Sequence, residues 1–435
     1  MGSSGTNTQD ARRNTPARFK SVYYILEGLN SFATVQYLYY FYFFTEKAFG
    51  FSAKANLAVA ALNGALTAIG AFLGGKFAQR QGYHKALKLG FFIMMLSLAI
   101  GSQLSSPAAH LCVMSAMVLG MCFTWPTLEA LVSEGEPPGR LEQVVGLYNV
   151  VWAGTGALAY FIGGAILQKW LRGIFYVPAA LFGSQLLLLF WLERSQRSAP
   201  PLNLNPSLKP GDPKRSPDPS ESLGSPPPRA IRLPALRALL ARREHRPAPV
   251  EQRSFVRMAW LANPFAYIAI NSLVAIIPTL AGRLGLSAAI AGFTCSAWCF
   301  ARVGSFCVLW FWPGWHYRFR WLLLAYFSLI VGFISILLAR NLFWLVAAQV
   351  LFGAGLGLIY YSSLFYSMDF SETKGEHGGV HEAAIGLGNF AGPAVGVIAL
   401  QAFPRVPHSA AFAVTACLIA GLGALLFLRQ SGRSD

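Results

Sequence analysis

Twelve stretches of roughly twenty mostly apolar residues dominate this sequence, and a run of that length crosses the hydrocarbon core of a bilayer as an α-helix. They fall near 20–46, 52–78, 85–103, 107–133, 139–167 and 172–192, and, after a break, near 254–282, 286–312, 318–339, 341–368, 374–402 and 407–428. Runs this long and continuous exclude a membrane β-barrel, whose strands are short and alternate in polarity. Turn signals separate several of them: Phe49-Gly50-Phe51-Ser52, Pro137-Pro138-Gly139, Gly285-Leu286-Ser287 and Pro313-Gly314. The chain is read as an all-α integral membrane protein, with twelve transmembrane helices in two pseudo-symmetric six-helix bundles at 20–192 and 254–428. Tails occupy 1–19 and 429–435, and a linker occupies 193–253.

Composition agrees. Only 12% of residues are charged, about half the share of a soluble domain, which excludes a water-soluble enzyme. The net charge of +17 by itself would suit a nucleic-acid partner, so the location of the charges decides. Residues 193–257 hold 13 of the 25 prolines and 13 of the 35 Lys and Arg residues, with tracts such as Ser225-Pro226-Pro227-Pro228. That is an extended linker, and Leu233–Arg246 within it is read as solvated, with a short basic surface helix as the alternative. With both termini in the cytoplasm, 27 of the 35 basic residues lie on the inner side and seven in outer loops, and Arg302 alone is mid-span. The positive-inside rule therefore accounts for the charge, and no nucleic acid is implied. The six cysteines lie in apolar runs without metal-ligand spacing and are read as buried thiols. The polar residues 1–20 and the long first run predict no cleavable signal peptide, and the myristoylation-like start Met1-Gly2-Ser3-Ser4-Gly5-Thr6 is read as chance.

The two halves repeat one another. Gly50-Phe51-Ser52-Ala53 opens the second span and Gly285-Leu286-Ser287-Ala288 the eighth, 235 residues later. Gly146 and Gly163 in the fifth span correspond to Gly379 and Gly396 in the eleventh, 233 residues later. Such repeats build many secondary transporters, with substrate sites near the midplane where the repeats meet.

Between spans 2 and 3 stands Gly75-Lys76-Phe77-Ala78-Gln79-Arg80-Gln81-Gly82-Tyr83-His84-Lys85. It resembles the G-x-x-x-D-R-x-G signature of the major facilitator superfamily, with Gly75, Arg80, Gly82 and Lys85 matching and Gln79 in the acidic position. The resemblance implies a cytoplasmic gate of Gly75, Arg80, Gly82, Lys85, Glu134 and Asp369, in which Arg80 pairs with Glu134 or Glu136. Gly388-Asn389-Phe390-Ala391-Gly392-Pro393-Ala394-Val395-Gly396 in span 11 is similar to the G-x-x-x-G-P-x-x-G pattern that drug antiporters of this superfamily carry in helix 5. Span 5 here has Thr155, Ala159, Tyr160, Gly163 and Gly164 at those places, a departure from the antiporter pattern.

Ionisable residues at membrane depth are costly and mark function by default. Glu27, Glu129 and Glu382 fall within spans 1, 4 and 11, and Arg302 near the middle of span 8. In the resembled fold, spans 1, 4, 7 and 10 line a central cavity, which places Glu27 and Glu129 on it from one half. A carboxylate there can exchange a proton, and Arg302 stays charged and suits an anionic or hydroxyl-rich solute. Asn30, Gln36, Asn63, Trp125, Asn149, Asn271 and Tyr361 complete the predicted substrate and coupling set, with Tyr37, Trp152, Pro278, Trp298, Tyr360 and Asn389 as further polar or aromatic candidates. His377 and His381 share a helical face, but without a third ligand they are read as a solvated pair and no metal is expected.

No phosphate-binding G-x-x-x-x-G-K-[ST] and no H-E-x-x-H is present, so neither ATP-driven transport nor intramembrane hydrolysis is expected, and no catalytic residue or cofactor is assigned. The expectation is a monomeric, proton-coupled carrier that moves a small polar or anionic organic solute by alternating access, in the inner membrane of a bacterium. The alternatives are an efflux carrier for amphipathic compounds or drugs, and a non-transporting membrane sensor or scaffold. The partners implied are a small-molecule substrate, protons and the lipid bilayer.

Overall fold

The computed structural model describes residues 17–134, 136, 138–197, 249–370 and 374–431. Residues 1–16 and 432–435 of the expected tails and 198–248 of the linker, Leu233–Arg246 included, lie outside the described residues. The first half consists of α1 (Ala17–Phe49), α2 (Ala53–Gln81), α3 (Tyr83–Gly101), α4 (Pro107–Ser133), α5 (Pro138–Lys169) and α6 (Gly173–Arg197). The second half consists of α7 (Pro249–Arg283), α8 (Ala288–Cys295), α9 (Ala297–Phe311), α10 (Phe319–Leu337), α11 (Leu342–Phe370), α12 (Lys374–Ala402) and α13 (Ser409–Ser431). α8 and α9 are one span broken at Ser296.

Eleven segments, α2–α7, the α8–α9 pair and α10–α13, are long and apolar enough to cross a membrane. The first predicted span, α1, is long enough but less apolar, for a reason visible in its packing. Glu27, Asn30, Ser31, Thr34, Gln36 and Thr45 are each 1% exposed or less. Their polarity faces other helices, so α1 is an interior helix and its average hydropathy understates its place in the bundle.

The repeat read from sequence recurs in backbone geometry. Gly50 and Gly285 both adopt left-handed φ, at 67° and 65°, a conformation that costs a residue with a Cβ. Two residues on, Ser52 and Ser287 each cap the next helix, accepting from the backbone N–H of Ala55 and Ile290. Gly82 (φ 99°) ends α2 and starts α3 in a single residue, the tight turn expected of the signature loop.

The halves meet along two seams, α2 against α12 and α5 against the α8–α9 span. Small residues allow backbone to touch backbone there. A Cβ on Gly386 would collide with the backbone of Thr67 and Ala68, one on Gly64 with Asn389 and Phe390, and one on Gly164 with Ala288. The G-x-x-x-G-P stretch of α12 is therefore packing surface: Gly64 and Gly386 hold α2 and α12 together, while Gly388 and Gly392 lie against the α7 backbone at Pro264 and Ile268.

Candidate functional site

Between the halves lies a narrow central cavity of about 80 Å³. One face of α1 supplies Thr34, Val35, Leu38, Tyr39 and Tyr42; α2 supplies Asn63 and Thr67; α4 and α5 supply Met121, Trp125, Tyr148 and Trp152. The second half contributes Tyr267 and Asn271 from α7, Arg302 from α9, Tyr360 from α11, and Glu382 and Asn389 from α12.

Arg302 dominates the electrostatics. It is 4% exposed, and its guanidinium lies over the rings of Trp152 and Trp298, 4.5 and 5.0 Å from their centroids. Among the described residues it makes no ion pair, and its Nε has no hydrogen-bond partner. The break at Ser296 starts α9 two residues before Trp298 and six before Arg302, so both side chains are carried inward on the same short helix. Trp152, from the other half, stacks on Tyr360 at 4.9 Å with ring planes 18° apart, and Phe306 packs beside both. Glu382 shares the cavity with Arg302 without forming an ion pair.

Of the predicted site residues, Arg302, Glu382, Asn63, Trp125 and Asn271 line this cavity. Asn271 there has a packing role, since its Nδ2 donates to Ala60 O at 3.2 Å and to Asn389 O at 2.8 Å, tying α7 to α2 and α12. Glu27, Glu129, Asn30, Gln36 and Asn149 are buried but do not line it. The rotation of α1 presents Thr34, Leu38 and Tyr39 to the cavity and turns Gln36 and Glu27 aside. Glu27 Oε1 accepts from Ser31 at 2.6 Å, with Tyr148 and Glu129 near enough to act on it electrostatically. Among the described residues the side chains of Gln36 and Asn149 have no hydrogen-bond partner, and Thr124 donates to Asn30 Oδ1 at 3.5 Å. Tyr361 points away, against Trp315 and Phe306, and its neighbour Tyr360 takes the predicted place. Tyr39, Tyr42, Thr67, Tyr148 and Tyr267 were not predicted. For the first two a signal was available, because positions 35, 38, 39 and 42 repeat at helical spacing.

At the gate, Gly75 is buried and Gly82 makes the turn, while Arg80, Lys85 and Glu134 are exposed. The partner foreseen for Arg80 is taken by another cation: Lys20, at the start of α1, pairs with Glu136 and donates to Glu134 O at 3.1 Å. Among the described residues Arg80 makes no ion pair. The side chains of Asp369 and His377 lie outside the described residues.

Two helical halves enclosing a largely aromatic and apolar cavity with a few polar groups at their interface is the architecture of a membrane solute carrier. The sequence matches the family model of the Major Facilitator Superfamily over residues 31–393. Among curated proteins no sequence matches this chain. Several solved transporters share the fold. The human organic anion transporter MFSD10 (TETRAN) is 16% identical with a TM-score of 0.62, over 94% of this chain and 100% of that one. A POT family transporter in complex with 5-aminolevulinic acid is 14% identical with a TM-score of 0.66, over 96% and 98%. The nucleoside transporter NupG is 12% identical with a TM-score of 0.60, over 95% and 98%. This chain belongs to the Major Facilitator Superfamily. It is a multi-pass membrane transporter and not an enzyme.

Proposed function

We propose that this protein is a proton-coupled secondary carrier of small organic anions, with Arg302 as the anion-binding group. The observation that carries the reading is a guanidinium 4% exposed, facing the cavity between the halves, with no carboxylate paired to it among the described residues. A buried charge without a counterion is expensive, and an anionic solute is a counterion that comes and goes. Planar aromatic faces from Trp125, Trp152, Tyr267 and Tyr360 surround the rest of the solute and suit an organic body more than an inorganic ion. Glu382, in the same cavity and without an ion pair among the described residues, is the group placed to carry a proton. Glu27 and Glu129 form a second acidic site behind it on α1 and α4. The distribution of basic residues favours cytoplasmic termini, and a bacterial inner membrane is the setting that goes with this reading.

The aromatic lining also favours a second reading, export of amphipathic compounds, and one assay separates the two. Protein reconstituted in liposomes with an imposed pH gradient is screened against carboxylates, nucleosides, sugars and lipophilic cations, with thermal stabilisation recorded in parallel. An organic anion at 100 times its dissociation constant should stabilise the carrier by about 2.7 kcal/mol. Stabilisation and proton movement with lipophilic cations but with no anion would replace the anion reading by the export one.

A further inference from the structure

The outer surface of the second half carries a groove that the transport site does not use. It runs between α10 and α13, is lined by Arg320, Trp321, Leu323, Leu324, Phe327 and Leu422, and has a volume of about 640 Å³. Leu324 and Phe327 are 53% and 57% exposed, so its walls open outward, where a membrane protein meets hydrocarbon. An apolar trough at that depth offers nothing to water and accommodates an acyl chain.

One end of the groove is different, because it presents hydrogen-bond donors. Arg320, the second residue of α10, is exposed. Its guanidinium lies 5.4 Å from the Trp321 ring, and among the described residues it has no carboxylate partner. The Trp321 ring beside it is held edge-on against Trp312 at 5.1 Å, and its indole N–H is turned inward, away from the surface. α10 starts after Arg318 without a side-chain cap, so although the Trp321 backbone N–H is used on Arg318 O at 3.1 Å, the positive end of the helix adds to the same place. Arg429, a cation at the end of α13, is engaged elsewhere, 3.6 Å from Glu251.

We propose that this groove binds an anionic phospholipid, its acyl chain along Leu324, Phe327 and Leu422 and its phosphate against Arg320 and the start of α10. None of the six lining residues is a carboxylate that could hold a choline or ammonium group, so the site favours headgroups with net negative charge over zwitterionic ones. The end of the bundle that bears the donors is also the end that bears the basic linker, which draws anionic lipid to that membrane surface. The inference does not depend on which solute the carrier moves.

The test uses the purified full-length chain in detergent, titrated with phosphatidylglycerol or phosphatidylcholine of identical acyl chains and read by native mass spectrometry. The wild type should bind phosphatidylglycerol more tightly, by about fivefold for one arginine at the headgroup level. Arg320→Ala should bring it down to the phosphatidylcholine level, while Arg320→Lys keeps most of the preference. Leu324→Trp fills the trough from an exposed position and should weaken both lipids. Equal binding of the two lipids by the wild type, an intact preference in Arg320→Ala, or unchanged binding in Leu324→Trp would each overturn the assignment.

Discussion

Replacing Arg302 by methionine separates a binding arginine from a structural one, because the two roles predict opposite changes in stability. The guanidinium is 4% exposed, has two tryptophan faces at 4.5 and 5.0 Å, and has no ion pair among the described residues. Each cation–π contact returns about 0.5–2 kcal/mol, whereas an unpaired buried charge costs several kcal/mol. The empty carrier therefore holds Arg302 at a net cost, and a methionine of similar length should leave the melting temperature unchanged or raise it. The anion is affected in the opposite sense. A charge-assisted hydrogen bond contributes about 1.5–3 kcal/mol, so losing one weakens the anion about 10- to 150-fold. Lysine keeps the charge but loses the planar fork and should fall between the two. The assay is thermal unfolding of wild type, Arg302→Met and Arg302→Lys with and without the anion, beside uptake in liposomes. A methionine variant that melts lower without ligand yet keeps the anion-induced shift and uptake would refute the reasoning and make Arg302 a packing residue.

The other perturbations test the fold and the coupling. Gly386→Val should force α12 off α2, because its side chain meets the backbone of Thr67 and Ala68, and should abolish transport and lower the melting temperature. Gly282→Ala, with open space around it, should be neutral or stabilise by up to about 1 kcal/mol. Glu382→Gln should retain solute exchange across liposomes while losing accumulation driven by a pH gradient; unchanged accumulation would shift the coupling role to Glu27 and Glu129. Lys20→Met removes a partly exposed pair, with side chains 18% and 10% exposed, so the loss in thermal stability should stay near 1 kcal/mol or below, and Lys20→Glu with Glu136→Lys should restore it.

The span count and the repeated turn were legible because both rest on local chemistry: apolar runs of membrane length, and a glycine followed two residues later by a capping serine. Arg302, Glu382, Asn63 and Trp125 were legible because charge or polarity inside a span narrows the choice of site. Glu27, Glu129, Gln36 and Asn149 satisfied the same criterion and yet lie beside the cavity. Depth along a helix is readable from sequence, but the rotation that aims a side chain is set by packing against five or six other helices. The tyrosines of α1 were hidden for another reason. Tyrosine is at home in membrane interfaces and in cores as well as in sites, and only the spacing of Tyr39 and Tyr42 with Val35 and Leu38 marks the face they share. The partner of Glu136 was out of reach because Lys20 arrives from the start of α1, more than a hundred residues away.

The placement of Trp152 ties solute binding to movement of the halves. Its ring stands between the two: one contact goes to the Arg302 guanidinium at 4.5 Å, the other to Tyr360 at 4.9 Å. Trp152 belongs to the first half, and Arg302 and Tyr360 to the second. An anion that engages Arg302 draws on one of these contacts, while the stack on Tyr360 holds the halves in the arrangement seen here. An aromatic pair of this kind contributes about 0.5–1.5 kcal/mol beyond its buried area, which shifts a two-state equilibrium by about 2- to 12-fold. Tyr360→Leu removes the stack and leaves both tryptophans of Arg302 in place. It should therefore change the ratio of the two carrier conformations by that factor and leave the intrinsic anion preference over neutral solutes intact. Labelling of single cysteines introduced on either side of the cavity measures the ratio, and competition binding measures the preference. Loss of the preference with an unchanged ratio would make Tyr360 a support for the anion selectivity of Arg302 and remove it from the control of the conformational balance.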